Sequence, residues 1–293
     1  MKNSILLAGL FLMAASCSSD ESVNTVENAE YFAPVTVSVD GFSVEQGDIP
    51  VTRATALASY NSVKFVTLAF YRSDGSEAYK HTQVRDNTDT FTTFGEFCCN
   101  LPIGSYTMVV LCNAGNNEIT LSSPTSATYG NNIVMDTFAD TQEVNIVNNN
   151  AVSLNVTLER IVSAVAVRST DNRPNDVKKM RITYSGGDRS FDPSTGLATT
   201  NNGFNCVLNF SGSGGTTTNI GGSLFLATDE QNIDILVEML NENNEVLYSR
   251  TAQNVPLKRN RVTSLTGTLF SNTGVTSSFQ VNGAWLTEHS VNF

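Results

Sequence analysis

From residue 31 onward, hydrophobic and polar positions alternate along the chain, with almost no 3.6-residue helical periodicity. Residues 34–40 alternate strictly, which predicts a half-buried strand with Val35, Val37 and Val39 facing inward. Similar segments separated by turn signals predict further strands; they are 63–71, 77–84, 91–99, 105–112, 142–147, 152–167, 179–184, 205–210, 223–228, 233–240, 246–252, 260–270 and 278–281. Many short strands at this spacing predict an all-β fold of sandwiches.

The first residues have the pattern of an export signal. A short basic start and an apolar run at 5–13 are followed by small residues and Cys17. The run is shorter than the roughly 20 residues that a membrane-spanning helix needs. Its end resembles a bacterial lipobox, in which the cysteine is acylated and becomes the new N-terminus. The alternative is an ordinary signal peptide with an incidental cysteine.

Segment boundaries follow from these patterns. Residues 1–16 are predicted to be a lipoprotein signal peptide, and the polar, acidic residues 17–30 a lipidated flexible tether. The asparagine run 148–150 is the best boundary between two sandwiches, predicted at 31–150 and 151–293. Residues 152–167 are expected to form one long strand or two collinear ones. A turn at 101–104 (Leu-Pro-Ile-Gly) is expected to join 91–99 and 105–112 as a hairpin.

Composition narrows the function. Lys and Arg number 17 against 28 Asp and Glu, which gives a net charge of −11 without any long basic run. Nucleic acid is therefore excluded as a partner, because phosphate binding needs a clustered basic surface. The folded chain's four later cysteines, Cys98, Cys99, Cys112 and Cys206, lack the spacing of a zinc site and are expected to be mostly buried thiols.

Catalytic motifs are missing from the sequence. It contains no phosphate-binding GxxxxGK[ST] loop, no GxGxxG after a strand, no GxSxG elbow and no HExxH pair. The two histidines, His81 and His289, are expected to be solvated surface residues. We therefore predict that the protein is not an enzyme, with no catalytic residues, no metal ligands and no cofactor.

Several short motifs occur in order along the chain. They are the lipobox at Cys17, Val-Thr-Arg-Ala at 51–54, Leu-Ala-Phe-Tyr at 68–71 with Asp-Gly at 74–75, Phe-Gly-Glu-Phe at 94–97, Leu-Pro-Ile-Gly-Ser-Tyr at 101–106, Leu-Glu-Arg-Ile-Val-Ser-Ala at 158–164, and 255–267. Together they resemble the fimbrillin superfamily, the subunits of type V fimbriae of Gram-negative gut and oral anaerobes. The resemblance is closest to its anchor and minor-subunit branch.

That resemblance implies two tandem transthyretin-like β-sandwich domains and assembly by strand exchange. In the family an Arg-specific protease removes the first strand of stalk subunits, and a neighbour's C-terminal strand fills the groove that is left. Here Val35, Val37 and Val39 would lie on that first strand, and the Arg53–Ala54 bond stands at the cleavage position. Anchor subunits keep the strand and the lipid. The alternative for Arg53 is an ordinary surface arginine in a loop.

The implied protein is a surface-exposed, lipid-anchored lipoprotein of the outer membrane and the fimbrium. Its partners would be other fimbrial subunits, the outer membrane through a palmitate-bearing anchor, and adhesion ligands on host or bacterial surfaces. One rival is a glycan-binding β-sandwich lipoprotein, which needs an aromatic platform, although Trp285 is the only tryptophan. A second rival is an enzyme with unrecognised motifs, which clustered carboxylates in a deep cleft would favour.

Overall fold

The alternating segments form the strands of an all-β structure. The computed structural model describes residues 31–45, 52–57, 60–271 and 280–285. Its strands are β1 (Phe32–Glu45), β2 (Thr52–Ala56), β3 (Val63–Arg72), β4 (Glu77–Val84), β5 (Glu96–Pro102), β6 (Gly104–Ala114), β7 (Ile119–Ser123), β8 (Ser126–Tyr129), β9 (Thr137–Ile146), β10 (Val152–Arg160), β11 (Ser163–Asn172), β12 (Lys179–Tyr184), β13 (Ser190–Asp192), β14 (Leu197–Ala198), β15 (Phe204–Asn209), β16 (Thr217–Leu224), β17 (Glu230–Leu240), β18 (Val246–Lys258), β19 (Arg261–Gly267) and β20 (Gln280–Trp285). One 3-10 turn, Thr88–Thr90, precedes β5.

The N-terminal strands form a sandwich around what we call the first core. The strand order is β2-β1-β10-β9-β6-β3-β4, and β5 also pairs with β1. Strands β9 and β10 pair only at Glu159↔Ala139 and Arg160↔Phe138, where the sheet folds over. The first core is filled by buried side chains from both layers, including Val35, Val37, Phe42, Leu68, Phe70, Phe97, Leu101, Met108, Val110, Phe138, Val156 and Leu158.

Further hydrophobic clusters lie outside the first core, and two of them are large. Sheets β16-β11-β19-β20 and β15-β12-β17-β18 enclose the second core, which includes Val167, Met180, Ile182, Ile235, Val237, Leu257 and Leu265. A small sheet, β14-β13-β8-β7, joins strands from both halves of the chain. Beneath it lies the middle core, in which the Phe191 and Phe225 rings stack 4.0 Å apart. The all-β sandwich fold predicted from alternation is confirmed.

The predicted hairpin across residues 101–104 is wrong. Strand β5 pairs antiparallel with β1, with Thr36 opposite Cys98, and β6 pairs with β3 and β9. The turn between β5 and β6 instead carries the chain from one layer of the sandwich to the other. This crossing buries Leu101 and Tyr106 in the first core, which a flat hairpin on one layer would not do.

Residues 152–167 form parts of two strands, β10 and β11, which belong to different sheets, so one long strand is wrong. Strand β10 pairs parallel with β1 from Val35↔Val152 to Ser43↔Glu159. A boundary at residue 150 would separate β10 from this partner, so the pairing extends the first sheet to residue 160. The division of the chain into two domains itself stays a prediction.

Candidate functional site

Strand β1 is the centre of the candidate site because it is paired along both of its edges. On one edge it lies parallel to β10 over most of its length. On the other edge its first half pairs with β5, from Phe32↔Pro102 to Ser38↔Glu96, and its second half pairs with β2. A strand in this position contributes main-chain hydrogen bonds to three neighbours at once.

The inner face of β1 is a continuous apolar stripe. Ala33, Val35, Val37 and Val39 alternate with exposed or half-buried residues and are themselves buried. Between Val39 and Gly41 the register against β10 shifts by one residue, which is a β-bulge. Because one extra residue reverses the alternation, Phe42 also points into the first core and is buried completely.

The neighbouring loop is built to hold β1. The Val39 N–H donates to the carbonyl of Gly95 at 3.0 Å, and the Gly95 N–H donates to Oε1 of the buried Gln83 at 2.7 Å. Nε2 of Gln83 in turn donates to the carbonyl of Glu96 at 2.6 Å. Gly95 has a φ of 93°, and any side chain there would collide with Leu57. Glycine is therefore required where β5 turns in beside β1.

An aromatic and ionic cluster closes the far end of the stripe. The Phe42 ring lies 4.2 Å from that of Phe138 and 5.2 Å from that of Tyr60. The Arg160 guanidinium lies 4.8 Å from the Phe138 ring centre. It binds the Asp136 carboxylate with two N–H groups, at 2.7 and 3.0 Å, and donates to the Tyr60 hydroxyl at 2.7 Å.

Arg160 also reaches the C-terminal half of the chain. Its third nitrogen donates to the Asn260 side chain at 3.3 Å, and Asn260 forms the turn between β18 and β19. Burial alone would lower the pKa of Arg160, but Asp136 and then Tyr60 raise it, so the guanidinium stays charged. An arginine inside an apolar stretch needs a partner when it is buried, and Arg160 finds its partners in segments far apart in the chain.

The Tyr60 hydroxyl makes the cluster sensitive to alkali. Burial, and next the charge of Asp136, raise the pKa of Tyr60 from 10.0 to about 12. Because the folded pKa lies above the unfolded one, the stabilisation is complete below about pH 10 and is lost as the pH rises to about 12. Urea unfolding between neutral pH and about pH 12 should therefore show a falling free energy of unfolding.

The matched variant for that series is Tyr60→Phe. It should be less stable at neutral pH by about 1–3 kcal/mol, because the buried Arg160 loses an acceptor and the half-buried Asp136 loses the hydroxyl that donates to it at 3.1 Å. Its free energy of unfolding should fall less steeply at alkaline pH than that of the unchanged protein. The fall that is left comes from Tyr71 and Tyr79, because burial raises the pKa of each to about 12. An identical alkaline slope in both proteins would show that Tyr60 does not titrate in this range.

Strand β20 is the last strand among the described residues. Strand β20 pairs antiparallel with β19 at the edge of its sheet. The segment 268–271 after β19 is fixed by side chains: Asp171 accepts from the N–H groups of Leu269 and Phe270, both at 2.8 Å, and Arg250 donates to the carbonyls of Thr268 and Ser271. The chain is thus held firmly up to the point where it leaves for β20.

The predicted site residues fall in different places. Cys17 lies outside the described residues. Arg53 and Ala54 lie on β2, where their backbones pair with Val44 and Ser43 of β1. The alternative of an arginine in a loop is wrong, because the backbone of Arg53 is paired as part of a strand. The role of all three residues, and that of the β1 valines in strand exchange, stays a prediction.

Metal ligands, membrane-spanning helices and cysteine thiols are three further features that bear on function. Within the described part of the chain, no three His, Cys, Asp or Glu side chains are grouped to hold a metal ion. Among those residues, likewise, no helix is long and apolar enough to cross a membrane. Cys112 and Cys206 are buried, which raises the pKa of both thiols, whereas Cys99 is half-buried and Cys98 is exposed.

Comparison with known families identifies the chain. The profile of one family, described as a family of unknown function (DUF6562), matches residues 33–291. The chain belongs to this family of unknown function. The match runs from the start of β1 to beyond β20, so it includes both terminal strands. A comparison with curated proteins gives no match.

Solved structures similar to this DUF6562 member come from Bacteroides and Porphyromonas species. A candidate adhesin from Bacteroides ovatus has a TM-score of 0.52 at 11% identity, covering 85% of this chain and 96% of its own, which shows a shared fold. The fimbrial anchor protein Mfa2 from Porphyromonas gingivalis has a TM-score of 0.49 at 12% identity, covering 86% and 97%. Candidate polysaccharide-binding proteins (DUF1812) from Bacteroides thetaiotaomicron give 0.49 at 13%, covering 87% and 99%. The structures to which the chain is similar thus include one fimbrial anchor protein.

Proposed function

We propose that this chain is a structural subunit of cell-surface fimbriae, anchored through Cys17 or present as a minor component, and joined to its neighbours by exchange of β-strands. The observation that carries the proposal is the position of β1. It is the first strand among the described residues, it is paired on both edges, and its inner face buries an unbroken apolar stripe.

Such a strand leaves a ready acceptor when it is absent. The edges of β5 and β10 would present unpaired main-chain groups, and the vacated stripe would offer pockets at alternate positions. A strand from another subunit could then supply both hydrogen bonds and side chains, which is the physics of β-augmentation. Strand β20 suits the role of donor, since it lies on a sheet edge and pairs with β19 alone among the described strands.

In the anchor form, β1 stays in place and the chain donates without accepting. The Arg53–Ala54 bond lies on β2, the next described strand after β1, so cleavage there would separate β1 from the rest of the chain, but the pairing of β2 with β1 covers this bond. This pairing favours retention of β1, because proteases cut exposed chain more readily than paired strand. The fold shared with the Bacteroides ovatus candidate adhesin supports a surface role.

Anchoring is tested by fractionating cells that carry Cys17→Ala. We expect the variant to leave the detergent-soluble membrane fraction, because an unacylated chain has no acyl methylenes to bury in the lipid. Each buried methylene contributes about 0.8 kcal/mol to membrane binding. Cys98→Ala removes an exposed thiol from the folded part and should fractionate like the unchanged protein. Outer-membrane retention of Cys17→Ala through salt and carbonate washes would contradict the lipid anchor.

Assembly is tested by N-terminal sequencing of the surface protein together with Arg53→Ala. A blocked, acylated Cys17 and normal fimbriae in the Arg53→Ala strain are expected for an anchor, whereas a start at Ala54 would identify a stalk subunit. Arg53→Lys keeps the charge and serves as the control for Arg53→Ala. Deleting the chain after residue 279 should block docking. Fimbriae that form normally without either terminus would contradict strand exchange.

A further inference from the structure

Exposed apolar side chains collect at one end of the first core. Six large hydrophobic residues among the described ones are exposed, and four of them belong to this end: Tyr31, Phe32, Ile103 and Val147, each at least 46% exposed. Single exposed apolar residues are common on the surfaces of soluble proteins. A group of them at one place indicates an interaction site.

The sheet brings the first three of them together. Strand β1 begins where β5 ends, so that Phe32 lies opposite Pro102. The backbone N–H of Ile103 donates to the carbonyl of Tyr31 at 3.1 Å. The two aromatic residues therefore stand beside the isoleucine at the crossing between the two layers of the sandwich.

Val147 reaches the same place from the other layer. Strand β6 begins where β9 ends, and Gly104 lies opposite Ile146. Ile103 and Val147 are the next residues along these two strands and so lie side by side. We call this group of Tyr31, Phe32, Ile103 and Val147 the apolar end.

The four residues of the apolar end carry no charge, in a chain whose net charge is −11, and the charged residue nearest to them in the sequence is Glu30. The segments that meet there, 31–39, 97–114 and 144–158, contain no Asp, Glu, Lys or Arg. Their polar residues at the end are neutral, among them the asparagines 148–150. A bacterial membrane surface carries negative charge and repels acidic protein surfaces, but it does not repel a neutral one.

The length of chain before Tyr31 indicates which surface this end meets. Thirteen residues, 18–30, separate Tyr31 from Cys17. Fully extended they span at most about 45 Å, and as a flexible coil about 20 Å. An acyl group on Cys17 would therefore keep the apolar end within that distance of the membrane.

We propose that the apolar end rests on the membrane that holds Cys17, with its side chains in the boundary between lipid headgroups and acyl chains. The inference rests on the lipid anchor proposed above. Tyr and Phe suit this boundary because their rings combine an apolar body with tolerance of the headgroup region. The contact orients the subunit, because it holds the first core against the membrane and directs the second core away from it.

The test is fluorescence quenching by lipid. The reporter is Ile103→Trp in a Trp285→Phe background, since Trp285 is the only natural tryptophan. The matched control is Val246→Trp in the same background, because Val246 on β18 is also 46% exposed but belongs to the second core's sheets. Both proteins are bound to phosphatidylcholine vesicles containing a lipid brominated on the acyl chain near the headgroup.

Two tethers separate this proposal from the anchor. One is the acylated protein purified from cells, and the other is the chain from residue 18 with an N-terminal hexahistidine on nickel-chelating lipid. On vesicles the Ile103→Trp emission should shift to the blue and be quenched several-fold more than that of Val246→Trp. A second outcome is strong Ile103→Trp quenching on the hexahistidine tether when cells yield no acylated protein. That outcome would support the contact of the apolar end with the membrane and would overturn the proposed lipid anchor.

Equal, weak quenching of both tryptophans while the protein floats with the vesicles overturns the proposal and leaves the anchor intact. Shielding of the Ile103→Trp indole from iodide in isolated fimbriae, without quenching on vesicles, also overturns it, because the end would then be a contact between subunits. Far-UV circular dichroism of each variant, matching that of the parent, ensures that the reporters are compared in folded protein.

Discussion

A chain that begins at Gln46, without β1, is expected to lose the first core. Burying Val35, Val37, Val39 and Phe42 contributes about 1.5–3 kcal/mol for each side chain, or about 6–12 kcal/mol together. That is as large as the whole stability of an ordinary protein, about 5–15 kcal/mol. The truncated chain should bind an apolar dye, exchange its first-core amides rapidly and aggregate at its unpaired edges.

A peptide of residues 31–45 added in trans should restore the fold, because it supplies both the stripe and the main-chain hydrogen bonds. The peptide with Val37→Asp should fail, since it would place a charge in the first core. The peptide with Thr36→Asp should still work, because Thr36 is exposed on the outer face. A truncated chain that stays folded and ignores all three peptides would show that no acceptor groove exists.

The second large effect is expected at the ion pair that links the first core to the C-terminal half. Arg160→Ala should lower the free energy of unfolding by about 3–5 kcal/mol, since it breaks a buried ion pair and also removes the hydrogen bonds from the guanidinium to Tyr60 and Asn260. The control is Arg181→Ala. Arg181 binds Glu238 at the same 2.7 Å, but its side chain is 32% exposed against 5% for Arg160. Its loss should cost less than about 1 kcal/mol.

Removing both charges distinguishes an ion pair from simple packing. The double variant Arg160→Met with Asp136→Leu should be more stable than either single variant, because no unpaired charge is left behind. Denaturant unfolding of the four proteins measures this as a double-mutant cycle. Single effects that merely add would mean that the two side chains act independently of each other.

The sequence predicts the local features of this fold well. Alternation in residues 34–40 predicts the buried valines of β1, and an arginine within the apolar motif at 158–164 predicts a paired charge. Both follow from short-range rules, since a strand has a period of two and a buried charge needs a partner. The bulge at Asp40 escapes these rules, because only the register against β10 reveals it.

Pairing between distant strands could not be predicted from the pattern. The turn at 101–104 has the composition of a hairpin turn, but whether it folds back or crosses to the other layer depends on where β1 and β9 lie. In the same way, an asparagine run at 148–150 marks a turn and says nothing of the parallel pairing that follows. Local sequence determines that a strand forms, and burial across the whole core selects its neighbour.

The site was predicted in part for the same reason. The valines of β1 belong to one segment of the sequence. The cluster at the end of β1 contains Tyr60, Asp136 and Asn260, which come from three separate segments. Asp171 and Arg250, which fix segment 268–271, are separated from it by β-strands and carry no motif. A polar residue that satisfies a distant backbone has no periodic signal in the sequence.

The parallel pairing of β1 with β10 determines how the protein resists a pulling force. A pull on the N-terminal tether draws β1 toward its own beginning, while tension from the C-terminal half draws β10 toward its end. The two strands would have to slide past each other, and the backbone pairs from Val35↔Val152 to Ser43↔Glu159 would be strained together rather than opened one by one. Resistance to such a pull is set by the height of the unfolding barrier. A tethered subunit of this topology would therefore withstand sudden flow better than its equilibrium stability alone suggests.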